Sequence, residues 1–279
     1  MRVNIGDTTL FFDVDGELFT PSGPQMREKP TLLLLHGGPG LDHAGFKPLF
    51  SQLTDVAQIV YLDQRGMGRS DPDNKSRWNL DQWAKDVHSF CEVLEIENPI
   101  VLGVSFGGMV AMKYASLFPD HPSKLILSST TARSDLQLSR DMFTRLGGEE
   151  AGLAFLNFVE DSTNNFEDFQ RLVLPLYNTT SGDPDASKRG IMTKAVLDHF
   201  SENIRPEMDL RSDLREIICP TLVLFGDSDP LTPPLQGDRI VRELVNAEVR
   251  HETINNAGHG PWRDRPTEVL AILRDFVAL

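Results

Sequence analysis

PIVLGVSFGGMVAMKYASLFPD, residues Pro99–Asp120, places Ser105 among three glycines, Gly103, Gly107 and Gly108. An apolar run precedes Ser105 and a helix-like segment follows it, which predicts a strand-to-helix turn at the serine. Gly103 and Gly107 give the G-x-S-x-G spacing of a nucleophile elbow. In such a turn the two backbones approach so closely that larger side chains clash, and the hydroxyl projects above the sheet. We therefore predict that Ser105 is a nucleophile and that Gly108 lets the helix lie close to neighbouring strands.

Short apolar runs recur on both sides of this stretch, and each ends in a polar or glycine-bearing turn. They lack strict alternation, which is typical of strands buried on both faces of a parallel sheet. Helical periodicity separates them, as in LDQWAKDVHSFCEVLEI from Leu80, so we predict an open α/β sheet. The N-terminal segments VNIGDTTLFFDV and GELFT are expected to be antiparallel edge strands of it. The runs are TLLLL before His36, QIVYL before Asp63, PIVLGV before Ser105, KLILSS from Lys124 and TLVLF before Gly226.

The alternation of strand and helix stops after KLILSS. Residues 133–205 contain only helix-like sequence, divided by the loop TTSGDPDAS, and the strand pattern resumes at CPTLVLFGD. An all-helical block between two strands predicts a cap, or lid, over the ends of the strands. The predicted domains are therefore a core of residues 1–132 and 206–279 and a helical cap of residues 133–205.

Composition and charge exclude several classes of protein. The chain has 279 residues, 40% of them hydrophobic, and a net charge of −14, which disfavours nucleic-acid binding because phosphate backbones are repelled. Cys91 and Cys219 do not have the spacing of a zinc site or a disulfide framework. The N-terminus lacks the apolar core of a signal peptide, and no run approaches the length of a membrane span. We expect a cytoplasmic protein that binds neither nucleic acid nor membrane.

A serine hydroxyl is a poor nucleophile without a base and an acid that orients the base. The stretch GDSDP from Gly226 follows one predicted strand and offers Asp227 and Asp229 as acids. The stretch NAGHG from Asn256 follows the last predicted strand and offers His259. Of the seven histidines, only His259 comes after that last strand, so it is the candidate base.

Taken together, these motifs resemble the α/β-hydrolase fold and, within it, the proline iminopeptidase group. HGGPG at His36 and DQRGMGRSD at Asp63 are specific to that group and its close relatives. GVSFGG, GDSDPLTP and NAGHGPW are shared by many hydrolases. The resemblance covers roughly residues 1–132 and 206–279. It implies a mostly parallel eight-stranded sheet, helices on both faces and an inserted helical cap.

The resemblance also implies roles for individual residues. Such hydrolases carry their catalytic triad in the order Ser, Asp, His, and the arrangement Gly-x-x-Asp selects Asp229 over Asp227. Half of the oxyanion hole lies in the loop after the TLLLL strand, where Pro39 has no N–H to donate. The expected donors are therefore the amides of Gly38 and Phe106. No metal or cofactor is implied.

The resemblance implies a serine aminopeptidase that removes an N-terminal proline or small apolar residue from a short peptide through an acyl-enzyme. An esterase, a lactonase or a carbon–carbon bond hydrolase acting on a small molecule could use the same triad and differ only in the cap. Epoxide hydrolases and haloalkane dehalogenases are excluded because they require a carboxylate where Ser105 stands. A non-catalytic ligand-binding protein of the same fold is a further alternative.

The cap departs from the family pattern, because no tryptophan occurs between Arg133 and Arg205 to form a Trp-x-x-Trp-Glu type motif. His199 and Trp262 are candidate substrate contacts. His36 is interpreted as a structural anchor, and an Asp63–Arg65 ion pair is expected to brace the neighbouring loop. No motif selects among the acids that could bind the substrate amine: Glu149, Glu150, Glu160, Asp161, Glu167, Asp168 and Glu202.

Overall fold

The computed structural model of the chain describes residues 1–161 and 164–278. Its strands alternate with helices, as the apolar runs predict. Within the described residues the strands are β1 (Arg2–Asn4), β2 (Thr9–Asp15), β3 (Phe19–Ser22), β4 (Gln25–Glu28), β5 (Thr31–Leu35), β6 (Gln58–Asp63), β7 (Ile100–Val104), β8 (Lys124–Ser128), β9 (Thr221–Gly226) and β10 (Val249–Ile254).

Eight of these described strands form one sheet in the order β1-β2-β6-β5-β7-β8-β9-β10. β2 pairs antiparallel with β1 and β6, and every other neighbouring pair in the sheet is parallel. The mostly parallel eight-stranded sheet is therefore confirmed. The expectation for GELFT is wrong: β3 pairs with β4 in a separate two-stranded sheet, because the chain turns back on itself at residues 23–24 and satisfies the β3 backbone locally.

Helices cover both faces of the sheet. The α-helices of the described residues are α1 (Leu80–Val93), α2 (Phe106–Leu117), α3 (Leu136–Gly147), α4 (Glu149–Glu160), α5 (Phe166–Asp168), α6 (Ala186–Arg189), α7 (Lys194–His199), α8 (Arg211–Leu214), α9 (Pro234–Glu243) and α10 (Pro266–Ala278). Shorter 3-10 turns lie at His43–Phe46, Leu49–Leu53, Lys75–Arg77, Leu174–Leu176 and Pro261–Arg263, and π-helical turns at Phe169–Val173 and Phe200–Ile204.

The central strands contribute side chains to two cores. Leu33 and Leu35 of β5 pack with α1, α2 and α9, whereas Leu32 and Leu34 pack with α10. Strands that are buried on both faces need apolar residues at every position, which explains why TLLLL shows no alternation. Among the described helices, none combines the length and the apolar character that a membrane crossing requires.

The described residues between β8 and β9 form helices and turns, apart from one isolated bridge between Arg133 and Asp209. Helices α3 and α4 pack on the turn Phe169–Val173 around a small aromatic cluster of Phe143, Phe155 and Phe169. We call residues 133–205 the helical segment. Its division from the core as a separate cap domain stays a prediction.

The order of the strands places the candidate site. β5 leads to β6 on one side, and the chain then crosses to β7 on the other side of β5. Open α/β sheets bind ligands at such a switch point, beside the carboxyl ends of the strands. Ser105 directly follows β7, and Asp229 and His259 follow β9 and β10, so the three residues lie at that edge.

Candidate active site

Ser105 occupies a strained turn between β7 and α2. Its φ is +53° and its ψ is −118°, a conformation that side chains rarely adopt, and only 7% of the residue is exposed. A Cβ on Gly103 would lie 2.3 Å from the carbonyl oxygen of Gly107, and a Cβ on Gly107 would lie 2.1 Å from that of Leu35. The close backbone approach expected at both glycines is therefore present. Glycine is required at both positions because a backbone atom, which cannot move aside, occupies the space that a Cβ would need.

Asp229 forms a hydrogen bond with His259 at the other end of the site. The carboxylate is fully buried, and its Oδ2 lies 2.9 Å from Nδ1 of His259. The hydroxyl of Thr232 and the amides of Leu231 and Thr232 also donate to it, at 2.9–3.0 Å. An ionised carboxylate only accepts hydrogen bonds, so Nδ1 carries the proton and Nε2 is left as an acceptor. This is the tautomer that a general base requires.

Asp227 has a different partner. Its Oδ1 accepts hydrogen bonds from the Ser228 hydroxyl at 2.8 Å and from the Ala257 amide at 3.3 Å. It therefore ties the β9 loop to the loop that carries His259. Of the two aspartates between which the sequence leaves a choice, Asp229 is the one that contacts the imidazole.

The serine turn and the histidine loop are anchored to the same strand end. The amide of Ser105 donates to the carbonyl of Ser128 at 3.0 Å, and Ser128 ends β8. The next residue, Ser129, accepts a hydrogen bond from the amide of Gly260 at 3.1 Å. Adjacent residues of one strand end thus hold the chain at Ser105 and beside His259. This shared anchor fixes the two loops relative to each other.

Asp264 is a site residue that the sequence motifs do not reveal. It is 5% exposed, and its carboxylate accepts hydrogen bonds from Gly258, Asn178, Thr179 and Thr180. Burial alone raises the pKa of Asp264, but the bonds from Thr180, Gly258, Asn178 and Thr179 outweigh it and hold the pKa below its usual value. Asp264 therefore joins the histidine loop to residues 178–180 of the helical segment. Its stretch, RDRP, has no spacing that would have identified it.

The HGGPG loop lies directly against the serine turn. A Cβ on Gly37 would lie 3.3 Å from Cβ of Ser105, and Gly38 lines the same cavity as Ser105. Phe106 is the first residue of α2, so its N–H has no acceptor within the helix and belongs to the end that attracts negative charge. The two amides predicted for the oxyanion hole thus stand beside the serine.

His36 is a buried anchor, in agreement with its interpretation from sequence. Its Nε2 accepts a hydrogen bond from the Gln64 amide at 3.2 Å, and the side-chain amide of Gln64 donates to the His36 carbonyl at 3.1 Å. Burial lowers the pKa of His36. A neutral imidazole in this place joins the ends of β5 and β6.

The expected Asp63–Arg65 ion pair is wrong. The Asp63 carboxylate accepts hydrogen bonds from Nδ1 of His43 at 2.6 Å and from the Arg69 amide at 2.9 Å. The Arg65 guanidinium instead makes two bonds to Asp86 on α1, at 2.6 and 2.7 Å. Asp63 ends β6 and its side chain turns towards residues 42–43, whereas Arg65 turns towards α1, so each finds its own partner.

A cavity of about 370 Å³ opens above Ser105, between the strand ends and the helical segment. That is a size suited to a small ligand. Phe155, Phe158, Phe169 and Tyr177 supply an aromatic wall. Of the candidate amine-binding acids, Glu160, Asp161 and Glu202 line the cavity. The four others are not among the described residues that line it: Glu149, Glu150, Glu167 and Asp168.

His199 and Trp262 are not among the described residues that line this cavity, so its lining does not support their expected role as substrate contacts, which stays a prediction. Nε2 of His199 lies 3.0 Å from the carbonyl oxygen of Trp78, so the imidazole contacts the chain just before α1. Trp262 is 3% exposed and packs between Phe46 and Phe50. Its large apolar ring is buried against these aromatic side chains below the histidine loop.

Comparison with known proteins agrees with this architecture. A family model described as alpha/beta hydrolase fold matches residues 30–262. A proline iminopeptidase of Levilactobacillus brevis is 29% identical over 96% of this chain and 92% of its own length. The crystal structure of the proline iminopeptidase of Mycobacterium smegmatis superposes with a TM-score of 0.79 and 20% identity, over 99% of this chain and 97% of that one. An esterase from Exiguobacterium antarcticum has a TM-score of 0.73 and 19% identity, over 98% and 96% of the two chains. The chain therefore belongs to the alpha/beta hydrolase family and is a hydrolase that resembles the proline iminopeptidases.

Proposed function

We propose that this hydrolase acts through a catalytic triad in which Ser105 is the nucleophile, His259 the general base and Asp229 the residue that orients the base. The observation that carries the proposal is the buried hydrogen bond between Asp229 and Nδ1 of His259, on a loop held by Ser129. That bond leaves Nε2 of the imidazole ready to accept a proton. The neighbouring residue, Ser128, holds the amide of Ser105.

The reaction proceeds in two acyl transfers. His259 accepts the hydroxyl proton of Ser105 as the oxygen attacks the substrate carbonyl, and the amides of Gly38 and Phe106 stabilise the negative oxygen. The imidazolium then donates its proton to the leaving amine, and an acyl-enzyme remains. Water, deprotonated by His259, hydrolyses this ester and releases Ser105. One oxyanion donor contributes on the order of 10²–10³ in rate.

We further propose an aminopeptidase that releases an N-terminal proline or small apolar residue from short peptides. Glu160, Asp161 and Glu202 line the cavity above the serine and supply negative charge for the protonated amine of the substrate. The aromatic wall offers apolar contact to a pyrrolidine ring. The names of the curated relatives, proline iminopeptidases, support the same activity.

Hydrolysis of esters or lactones is the second candidate. It is favoured by the aromatic part of the cavity wall, which suits an uncharged acyl chain as well as a proline ring.

We retain further parts of the sequence interpretation as proposals: residues 133–205 form a cap domain, and the enzyme works in the cytoplasm without a metal or cofactor.

The first experiment compares rates on prolyl-, alanyl- and leucyl-4-nitroanilide with rates on short-chain 4-nitrophenyl esters. We expect turnover of the anilides that disappears when the substrate amine is acetylated, because the acidic cavity residues then lose their cation. Ser105→Ala is expected to lower kcat by about 10³-fold or more on every substrate. Ser76→Ala, at an exposed position, is the matched control.

The outcomes separate the candidates. Ester turnover without anilide turnover would contradict the peptidase proposal and leave an esterase-type hydrolase. Wild-type rates in Ser105→Ala would contradict the triad itself. If the wild type turns over no substrate and Ser105→Ala binds a ligand as tightly as the wild type does, the chain is a ligand-binding protein of the same fold.

A further inference from the structure

Arg205 belongs to the helical segment and lines the cavity above Ser105. It follows the π-helical turn Phe200–Ile204, and its amide donates to the carbonyl of Phe200 at 2.8 Å. The ring of Phe200 in turn contacts the ring of Phe106, with 5.4 Å between centroids, and Phe106 follows Ser105 in the chain. One π-helical turn therefore separates Arg205 from a residue whose ring contacts Phe106. Arg205 and Ser105 line the same cavity.

The guanidinium of Arg205 has no partner among the described residues. No hydrogen bond or ion pair to its side chain is formed there, although the residue is partly buried. Lys194, another cation that lines the cavity, differs because both carboxylate oxygens of Asp198 accept its hydrogen bonds, at 2.6 and 2.8 Å. Burial lowers the pKa of Arg205, and no carboxylate of the described residues offsets this effect. An arginine nevertheless stays charged in a protein, so this cation lacks the anion that would offset its lost hydration.

We infer that Arg205 is a binding subsite for a carboxylate of the substrate. A guanidinium presents two parallel N–H groups that match the two oxygens of a carboxylate, which makes this pair stronger than a neutral hydrogen bond. A doubly charged phosphate fits less well, because Glu160, Asp161 and Glu202 place negative charge in the same cavity. The singly charged group is therefore the better match.

The cavity then offers two charged subsites of opposite sign. Its acidic residues face a substrate ammonium and Arg205 faces a carboxylate, within about 370 Å³. A free dipeptide carries both groups and is small enough for this volume. For peptides the inference rests on the proposed aminopeptidase function, and it narrows the substrate class to short peptides whose leaving group bears a carboxylate.

The test compares prolyl-glycine with prolyl-glycinamide, which differ only in that carboxylate. We expect the wild-type enzyme to have a kcat/KM roughly 10-fold to 100-fold higher on the free dipeptide, the range of a charge-assisted hydrogen bond. Arg205→Met removes the cation and is expected to bring the two rates within about 2-fold of each other, by lowering the rate on the dipeptide alone. Arg205→Lys keeps a positive charge and is expected to keep part of the preference.

Two controls accompany this comparison. Arg145→Met removes the same charge from an exposed position of the helical segment outside the cavity lining, and it is expected to retain the wild-type preference. Arg205→Gln is the second neutral variant, to be used if Arg205→Met does not fold, as judged by its thermal unfolding. Equal wild-type rates on dipeptide and amide, or a preference that persists in the neutral Arg205 variants, would overturn the inference.

A pair of esters tests Arg205 without a peptide bond. 4-Acetoxybenzoate and 4-acetoxybenzamide share the acyl group and differ in the charge of the leaving group. A preference for the benzoate that Arg205→Met abolishes supports the subsite even if no peptide is cleaved, in which case the peptidase proposal alone fails. Cleavage of peptides and esters with no dependence on the carboxylate contradicts the subsite and leaves the peptidase proposal standing.

Discussion

The serine turn and the helical segment differ in what holds them together. Around Ser105 the contacts run from backbone to backbone, and added methyl groups at Gly103 and Gly107 would meet carbonyl oxygens at 2.3 and 2.1 Å. In the helical segment, by contrast, Gly182 has no described atom within 4 Å of its added Cβ. An added methyl group therefore meets fixed backbone at Gly103 and Gly107 but open space at Gly182. The geometry of the serine turn thus depends on its backbone, whereas the cavity is lined mostly by residues of the helical segment.

The two regions meet at the histidine loop. The amide of His259 donates to the Tyr177 carbonyl at 2.6 Å, and Asp264 binds residues 178–180. A Cβ on Gly258 would lie 2.0 Å from the same Tyr177 carbonyl. At Gly258 the backbone of the helical segment approaches the histidine loop as closely as the two sides of the serine turn approach each other. We expect the general base to respond to changes in the segment through this contact.

The largest effect is expected from Gly107→Ala. Its new methyl group must displace the backbone of β5 or α2, and overpacking of this kind lowers the free energy of unfolding by about 3 kcal/mol. A shift of the turn by 1 Å can lower kcat by roughly 10²-fold. Gly182→Ala is the matched control in the helical segment, where the methyl group meets open space and stability is expected to change by less than about 1 kcal/mol. Urea unfolding measures the stability of both variants, and hydrolysis of anilides or esters measures their rates.

Equal losses of unfolding free energy in Gly107→Ala and Gly182→Ala would contradict the proposed difference in packing between the two regions. A Gly107→Ala enzyme with wild-type stability and rate would show that the turn relaxes more easily than the contact to Leu35 indicates.

A smaller effect is expected from Asp264→Asn at the junction. An amide cannot accept every hydrogen bond that the carboxylate accepts, so buried donors lose partners and the free energy of unfolding falls by about 1–3 kcal/mol. We expect kcat to fall as the histidine loop loosens, with KM changing less. Asp55→Asn, which removes an exposed ion pair with Arg274, is the control and is expected to change stability by about 0.5 kcal/mol or less.

The effect of Asp264→Asn also has a predicted pH dependence. Because the pKa of Asp264 is lower in the folded protein than in the unfolded chain, its ionised form stabilises the fold above the unfolded value of about 3.9. That contribution disappears as the pH falls through the folded value. The stability difference between wild type and variant is therefore expected to shrink below about pH 4 in urea unfolding. A difference that grows on acidification would contradict the assignment.

The smallest effect is expected from Glu160→Gln and Glu202→Gln in the helical segment. Each removes one of several negative charges near the substrate amine, so KM for prolyl-4-nitroanilide is expected to rise about 10-fold, with little change in stability. Rates on neutral esters are expected to stay the same. Glu167→Gln, outside the described cavity lining, is the control. Ester rates that fall in step with anilide rates would show that these acids act on the fold rather than on the amine.

Sequence patterns predict the core well because local rules and tertiary structure agree there. The four consecutive leucines of TLLLL show no alternation because β5 is buried on both faces, and the G-x-S-x-G spacing indicates a close backbone contact directly. Prediction fails where a polar side chain has several possible partners. Asp63 pairs with His43 rather than Arg65. Such choices depend on the direction of each side chain in the folded chain, which spacing does not encode.

Sequence patterns alone predict the α/β sheet, the serine turn and the loops that carry Asp229 and His259. Glycine spacing and hydrophobic periodicity are properties of neighbouring residues, so they can be recognised without the fold. The tertiary structure joins Asp264 to residues 178–180, and it leaves the Arg205 side chain without a partner among the described residues. These features bring together residues from about 80 to 100 positions apart in the chain. Their energies come from burial and from partners that exist only after the helices have packed.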